Sequence, residues 1–466
     1  MKFWEYLDVP QRKGLKWSVF CVLVVVACGL RLYRLDQGLW YDEILSTVLF
    51  FRAPWSELLT SMPMPNHHPL YSLFAKLCLL AFGEKEWALR LPAYVAGSLT
   101  PGLLFLFCRR YVDGLTGALS GLFLCIAMWP VWWSQDARGY SFLVLFSLAA
   151  TYLFLLLCEK ADWKLLAAYV AVAAAAIYSQ LFAAAVIGTH LVVAFFFMTQ
   201  KREGWKRLSA VTSSGLLVSL LLYLPMLSDF YSFVVREGTL TTGRAMDFEF
   251  IGRLLTAWSG GYGRPLLSLI VLLPAGCGAV AMFRRKPLLA WLVVLPLLSG
   301  FLASLVTGTF VFHRFYSYGI WGFYMFCGFG LGLLIAARKA FLRWSAAGAA
   351  VLVIAVLGYT LSDYYKKDKQ AIRRAAEFSH EKYPSQKVIA LGLVSNVYNY
   401  YGRGARLYDR HRDLSSGDTT NSVIVTSFEW SVSPHNRELL ERRCRLEKFF
   451  PSAGPPELHV TVNYCK

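Results

Sequence analysis

Charge is scarce in this chain, since only 16% of its 466 residues are Asp, Glu, Lys or Arg. A water-soluble globular protein carries nearer a quarter, so the shortage argues against an all-aqueous fold. Acid is scarcer than base, with 29 carboxylates against 47 Lys and Arg and a net charge of +18. There is no internal repeat, no low-complexity tract and no coiled-coil heptad, which excludes solenoids and fibrous assemblies. A disulfide framework is also missing. Of the ten cysteines, all but Cys444 and Cys465 lie in or beside apolar runs and read as small buried hydrophobes. Those two could pair if their region faces an oxidising compartment.

What is abundant is apolar sequence: 56% hydrophobic residues and a mean hydropathy of +0.46. Runs of about 20 apolar residues recur up to position 365, each long enough to cross about 30 Å of hydrocarbon. Spans are predicted at about 17–35, 90–108, 115–133, 140–158, 164–179, 181–199, 208–227, 265–283, 287–307, 315–337 and 344–363. The first follows Arg12, Lys13 and Lys16, lacks a small-residue cleavage site and is read as a retained helix. The run 68–82 is short and carries Lys76 in its middle, which is costly in lipid.

Basic loops decide that run. With a cytoplasmic N-terminus and 68–82 lying on the surface, Arg109-Arg110, Lys160/Lys164, Lys201-Arg202/Lys206-Arg207, Arg284-Arg285-Lys286 and Arg338-Lys339/Arg343 all fall inside, as the positive-inside rule requires. If 68–82 crossed, all would move outside. The expectation is a mainly α, polytopic bundle of about eleven spans with an interfacial helix in the first external loop. The same loops account for the positive charge without a nucleic-acid partner. From about 366 charges become dense, with a helix containing Ala371–Phe378 and β-type runs at 387–393 and 422–426. Residues 1–365 therefore form a membrane domain and 366–466 a small C-terminal α/β domain, placed outside.

This topology puts four loops on the external side. They hold Trp40-Tyr41-Asp42-Glu43 and Asn66-His67-His68-Pro69-Leu70-Tyr71, then Ser134-Gln135-Asp136-Ala137-Arg138-Gly139-Tyr140. A long loop at 228–264 holds Arg236, Glu237, Arg244, Arg253 and Arg264, and the last holds His313-Arg314. Each piece has a plain reading: a solvated acidic turn, an aromatic interface belt, or arginines anchoring helix ends. His67 and His68 with Asp42 or Glu43 could hold a divalent metal, although adjacent histidines point apart. Together the pieces suit transfer from a lipid phosphate. A carboxylate deprotonates a hydroxyl, and guanidinium groups hold a phosphate bidentately as charge builds on it.

GLWYDE (38–43), NHHPLYSLFAKL (66–77), FGEKEWALRLPA (82–93), WWSQDARGYS (132–141) and FHRFYSYGIWGFY (312–324), in this order, resemble the PMT/ArnT-like integral membrane glycosyltransferases of the GT-C fold, which use polyprenyl-phosphate-linked sugars. The resemblance is good over about 35–155, fair near 310–337 and compositional elsewhere. It implies Asp42 as catalytic base, Glu43 tuning or positioning that site, and Asp136 at the place of a second polar or acidic residue. It implies Arg138 and Arg314 as phosphate or helix-end contacts, and His67 and His68 at a His-Pro-Leu motif. Tyr71, Tyr140 and His313 are further substrate or structural candidates.

The expected activity is inverting transfer of a hexose or pentose, at the external face of a cell's inner (plasma) membrane, to an unidentified hydroxyl acceptor (glycan, lipid or protein). Arg138, Arg264 and Arg314 would hold the phosphate, while the 68–82 helix and the 228–264 loop roof the site. The exported domain would select the acceptor. Two other classes remain: a non-catalytic scaffold or partner subunit, and a lipid or sugar transporter, which would need ionisable groups at mid-membrane. His190 is the one such residue the spans offer.

Overall fold

The computed structural model describes residues 13–64, 67–200, 204–232, 248–260, 264–307, 312–409 and 412–466. The chain forms two compact units. The first comprises residues up to Tyr33, Ala53–Gly83 and Ala88–Leu361; the second comprises Arg34–Arg52, Glu84–Trp87 and Ser362–Lys466.

The first unit is a helical bundle, and the chain is a multi-pass membrane protein. Among the described residues nine helices are long and apolar enough to span: Gly14–Leu32, Glu86–Tyr111, Tyr140–Glu159, Leu181–Thr199, Trp205–Tyr231, Pro265–Arg285, Pro287–Val306, His313–Ile335 and Ala340–Tyr365. Two of the eleven expected spans differ. The run at 115–133 is a pair of helices, Gly114–Ile126 and Met128–Ser134, bent by 62°. Pro130 explains the break: it has no N–H for the Ile126 carbonyl, and its ring crowds that turn. The run at 164–179 forms a helix, Trp163–Ser179, of only 17 residues, or about 25 Å at 1.5 Å per residue. Pro69–Phe82, with 14 residues, extends about 21 Å and is too short to cross. Its Lys76 is buried, donates to the Ala53 carbonyl and lies 5.1 Å from the Trp55 ring centroid.

The bundle is apolar inside and out, as lipid requires. Leu266, Val306 and Phe341 point outward from their helices, while the helix Ile320–Ile335 is enclosed by its neighbours. That enclosure depends on small residues. A Cβ on Gly278 would lie 1.8 Å from the Phe326 carbonyl, and one on Gly330 would lie 2.3 Å from the Pro274 carbonyl.

The second unit is built on a five-stranded sheet of order β2-β1-β3-β5-β4. The strands are β1 (Lys387–Leu391), β2 (Arg406–Tyr408), β3 (Ser422–Ser427), β4 (Cys444–Phe450) and β5 (Val460–Cys465). β1 runs parallel to β2 and β3; β5 is antiparallel to β3 and β4. Ile389, Leu391, Tyr408, Leu414, Ile424, Val432 and Cys465 form its core. Cys444 and Cys465, opposite one another in the β4–β5 ladder, are joined as a disulfide.

Two earlier segments belong to this unit. Arg34 donates to the Tyr365 and Lys367 carbonyls and pairs with Asp368. Leu39 N–H donates to the Tyr401 hydroxyl at 2.9 Å, and Arg373 pairs with Glu86 at 2.9 Å. Trp40 packs with Phe428 and Leu458.

Candidate functional site

In the membrane unit the site begins at the bend. Breaking the helix at Ala127 frees carbonyls of the preceding turn, and an unpaired carbonyl is costly away from water. Arg31, fully buried at the end of the first span, supplies donors. Its guanidinium reaches the Leu124 and Cys125 carbonyls at 3.3 and 3.2 Å and the Ser134 hydroxyl at 2.9 Å. Gln135 then fastens the turn by donating to the Arg31 and Tyr33 carbonyls at 2.8 and 2.6 Å. The short turn that follows delivers Arg138, whose N–H donates to the Asp136 carbonyl at 2.7 Å.

Arg138 is 1% exposed, and one amino group of its guanidinium meets His68 Nε2 at 2.9 Å and the Tyr140 hydroxyl at 3.4 Å. The other imidazole nitrogen, Nδ1, lies 2.9 Å from the Ser179 carbonyl. A carbonyl only accepts, so Nδ1 carries the proton and Nε2 receives the guanidinium. Burial, reinforced by the Arg138 charge, holds the His68 pKa well below the usual histidine value. Burial likewise pushes His67 down to about 3. A neutral imidazole therefore orients Arg138 without cancelling its charge. Gly139 makes the contact possible, because a Cβ there would lie 2.7 Å from the Ser179 carbonyl and 3.0 Å from His68 Nδ1.

Arg314 is close enough to act electrostatically on both His68 and His313. Its guanidinium carbon lies 4.2 Å from the Phe312 ring centroid. His313 packs edge-on against Trp129 at 4.5 Å and feels Arg253 as well. The fold thus gathers His67, His68, Arg138, Tyr140, His313 and Arg314 into one electropositive region. Tyr71 is engaged elsewhere: its hydroxyl donates to the Leu89 carbonyl at 2.8 Å. Arg264 lies over the Tyr359 ring at 5.0 Å. Asp136 is almost fully buried. Arg236, Glu237 and Arg244, expected in a roof over the site, fall outside the described residues, as does Asn66.

The carboxylates Asp42 and Glu43 belong to the second unit, in the first turn of a short helix, Tyr41–Ser46. Both are buried, Glu43 completely. Glu43 Oε2 accepts the Trp40 N–H at 3.2 Å, so this carboxylate closes the helix start. Tyr41 N–H donates to Gln370 Oε1 at 2.9 Å, and the Tyr41 ring meets Phe428 edge-on at 5.1 Å. Ser46 and Thr47 hydroxyls donate to the Asp42 and Glu43 carbonyls at 2.8 Å each.

Among the described residues no three His, Cys, Asp or Glu side chains group as a metal site. Both ring nitrogens of His68 are already engaged, so the metal reading of the histidine pair is not supported. Arg31 and Ser179 were missed by sequence reasoning. Arg31 had one visible signal, a lone guanidinium at the end of an apolar run.

Residues 66–228 match the family model for dolichyl-phosphate-mannose-protein mannosyltransferase. ArnT from Cupriavidus metallidurans in the apo state superposes with a TM-score of 0.57 at 15% identity, covering 97% of this chain and 98% of that one. At this identity the likeness shows the fold alone, a GT-C-type membrane bundle with a small C-terminal sheet domain. The same ArnT bound to undecaprenyl phosphate gives a TM-score of 0.55 at 14% identity over 97% of this chain and 98% of that one. An Archaeoglobus fulgidus oligosaccharyltransferase in complex with zinc and sulfate gives 0.51 at 11% identity over 94% and 72%. Comparison with curated proteins finds no match. The family match contains His67, His68, Asp136 and Arg138, whereas Asp42, Glu43, Arg264 and Arg314 lie outside it.

Proposed function

We propose that this chain is a membrane glycosyltransferase that moves a sugar from a polyprenyl-phosphate carrier to a hydroxyl acceptor. The observation that carries the reading is the buried Arg138, held by a neutral imidazole with the Arg314 charge nearby. A guanidinium so held is oriented in advance for a phosphate and needs little reorganisation as charge develops. The family model and the ArnT relative bound to undecaprenyl phosphate support the same donor class.

Asp42 is the base. It takes the acceptor's hydroxyl proton; the oxygen forms a bond to the anomeric carbon, and the bond from that carbon to the phosphate oxygen breaks on the opposite side. The configuration inverts, and polyprenyl phosphate departs as an anion neutralised by Arg138 and Arg314. The leaving group is already stabilised, so no general acid is needed. Glu43 keeps the helix start closed and thereby positions Asp42. The transfer occurs at the extracytoplasmic face of the plasma membrane, with residues 366–466 as a domain on that side. The Cys444–Cys465 disulfide supports that side, since disulfides persist in oxidising compartments.

The test uses membranes containing the full chain, labelled polyprenyl-phosphate sugar and native acceptor. Asp42→Asn is expected to reduce transfer by about a thousandfold, within the range for loss of a general base. Transfer by that variant at near wild-type rate would remove Asp42 as base. A wild-type chain without transfer would favour the scaffold reading. Transport is the weaker rival: the buried Arg31 within a span donates to protein carbonyls at the bend, a structural use of an intramembrane charge.

A further inference from the structure

The second unit contains a cavity of about 500 Å³ that the transfer chemistry does not use. It opens between the helix Ile372–Lys382, the starts of β1 and β2, and the turn before β2. Its volume corresponds to on the order of fifteen waters, within the range of small-molecule sites. Lys387, Arg403, Arg406 and His380 line it, and among the described residues no Asp or Glu does.

The cations are not equivalent. Lys387 pairs with Asp418 at 3.1 Å. Arg403 and Arg406 are exposed and form no ion pair among the described residues. Three tyrosines, Tyr383, Tyr398 and Tyr401, supply ring surface to the wall. Gln386 lines the cavity too.

We propose that this cavity binds a small anionic carbohydrate. Arg403 and Arg406 take the anionic group, and the tyrosine rings take the apolar faces of the sugar. A bare oxyanion would use the arginines but leave most of the volume unfilled and the tyrosine rings uncovered. The sugar arrives either free in solution or as the headgroup of a lipid.

Calorimetric titration of the purified full-length chain in detergent tests this, with glucose 1-phosphate as the probe and glucose and inorganic phosphate as comparisons. Glucose 1-phosphate should bind saturably, at least tenfold more tightly than either comparison. The R403E/R406E variant should weaken it at least tenfold with an unchanged thermal transition, and the milder Arg406→Gln should weaken it severalfold. No saturable binding, equal binding by the charge-reversed variant, or phosphate binding as tightly as the sugar phosphate would overturn the proposal. If it holds, repeating the titration in nanodiscs with a glycolipid bearing a phosphorylated sugar separates the two sources: competition marks a lipid headgroup, and its absence a soluble sugar. No arm requires a donor or a transfer, so failure here leaves the transferase reading standing, and an inactive chain leaves this one standing.

Discussion

Arginine is used differently in the two units. In the membrane unit, Arg31 and Arg138 are almost completely buried, and their guanidinium groups donate to carbonyls, a serine hydroxyl, an imidazole and a phenol. In the second unit, Arg34, Arg52 and Arg373 keep part of their surface in water and pair with Asp368, Glu84 and Glu86. A carboxylate partner neutralises a charge, whereas carbonyl, imidazole and phenol partners orient a guanidinium without themselves neutralising it. The first arrangement can meet a phosphate; the second mainly ties chain segments together. Partly exposed pairs of that kind are each worth only about 0–1 kcal/mol.

Arg138→Gln gives the sharpest way to break this contrast. Transfer should fall by about a hundredfold or more, as for loss of one preorganised donor to a developing anion, whereas Arg373→Gln should change it less than about twofold. Rates with labelled donor for both variants decide it; equal losses would mean the buried arginine has no special role. Gly139→Ala comes next. The added Cβ must displace Ser179 or His68, at a cost of about 2 kcal/mol, read as a lower thermal midpoint together with reduced transfer.

A smaller effect is expected for Glu43→Gln. The amide keeps an oxygen to accept the Trp40 N–H, so transfer should fall by no more than about tenfold, or 1.4 kcal/mol. A loss as large as that of Asp42→Asn would make Glu43 part of the chemistry.

The last prediction concerns pH. His67 and His68 stay neutral in the fold, with His67 held down to about 3, while the unfolded chain takes up protons near 6.5. The unfolded state therefore binds more protons below that pH. Their contribution to stability is complete above about 6.5 and falls as pH drops toward about 3. The slope is up to about 1.4 kcal/mol per pH unit for each histidine. Thermal unfolding across that window should show it, and His67→Gln should flatten the curve.

Much of the fold was legible because its signals are local. Apolar runs gave most spans, and the shortness of 68–82, with Lys76 inside it, corresponds to a helix of 14 residues, below spanning length. β1 and β3 showed as β-type runs, although β1 ends at Leu391, two residues before the predicted end, where Gly392 turns with φ +80°. β2 has only three residues, and β4 is a charged edge strand with Arg445, Glu447 and Lys448. Neither presents a run that composition can detect. The candidate site showed in the sequence only as residue types, with Asp42, Arg138 and Arg314 marked by motif.

By itself, then, the sequence determined the membrane character, most of the spans, the small C-terminal α/β region and the candidate residues, because hydropathy and motif spacing are properties of neighbouring positions. Only the tertiary structure decided that Arg31 secures a bend 94 residues away at Cys125, that His68 is a neutral acceptor between Ser179 and Arg138, and that Asp42 and Glu43 belong with residues beyond 361. Those facts depend on donors and acceptors far apart in the chain. Burial obliges such groups to find partners, but which partner each finds is a property of the folded arrangement.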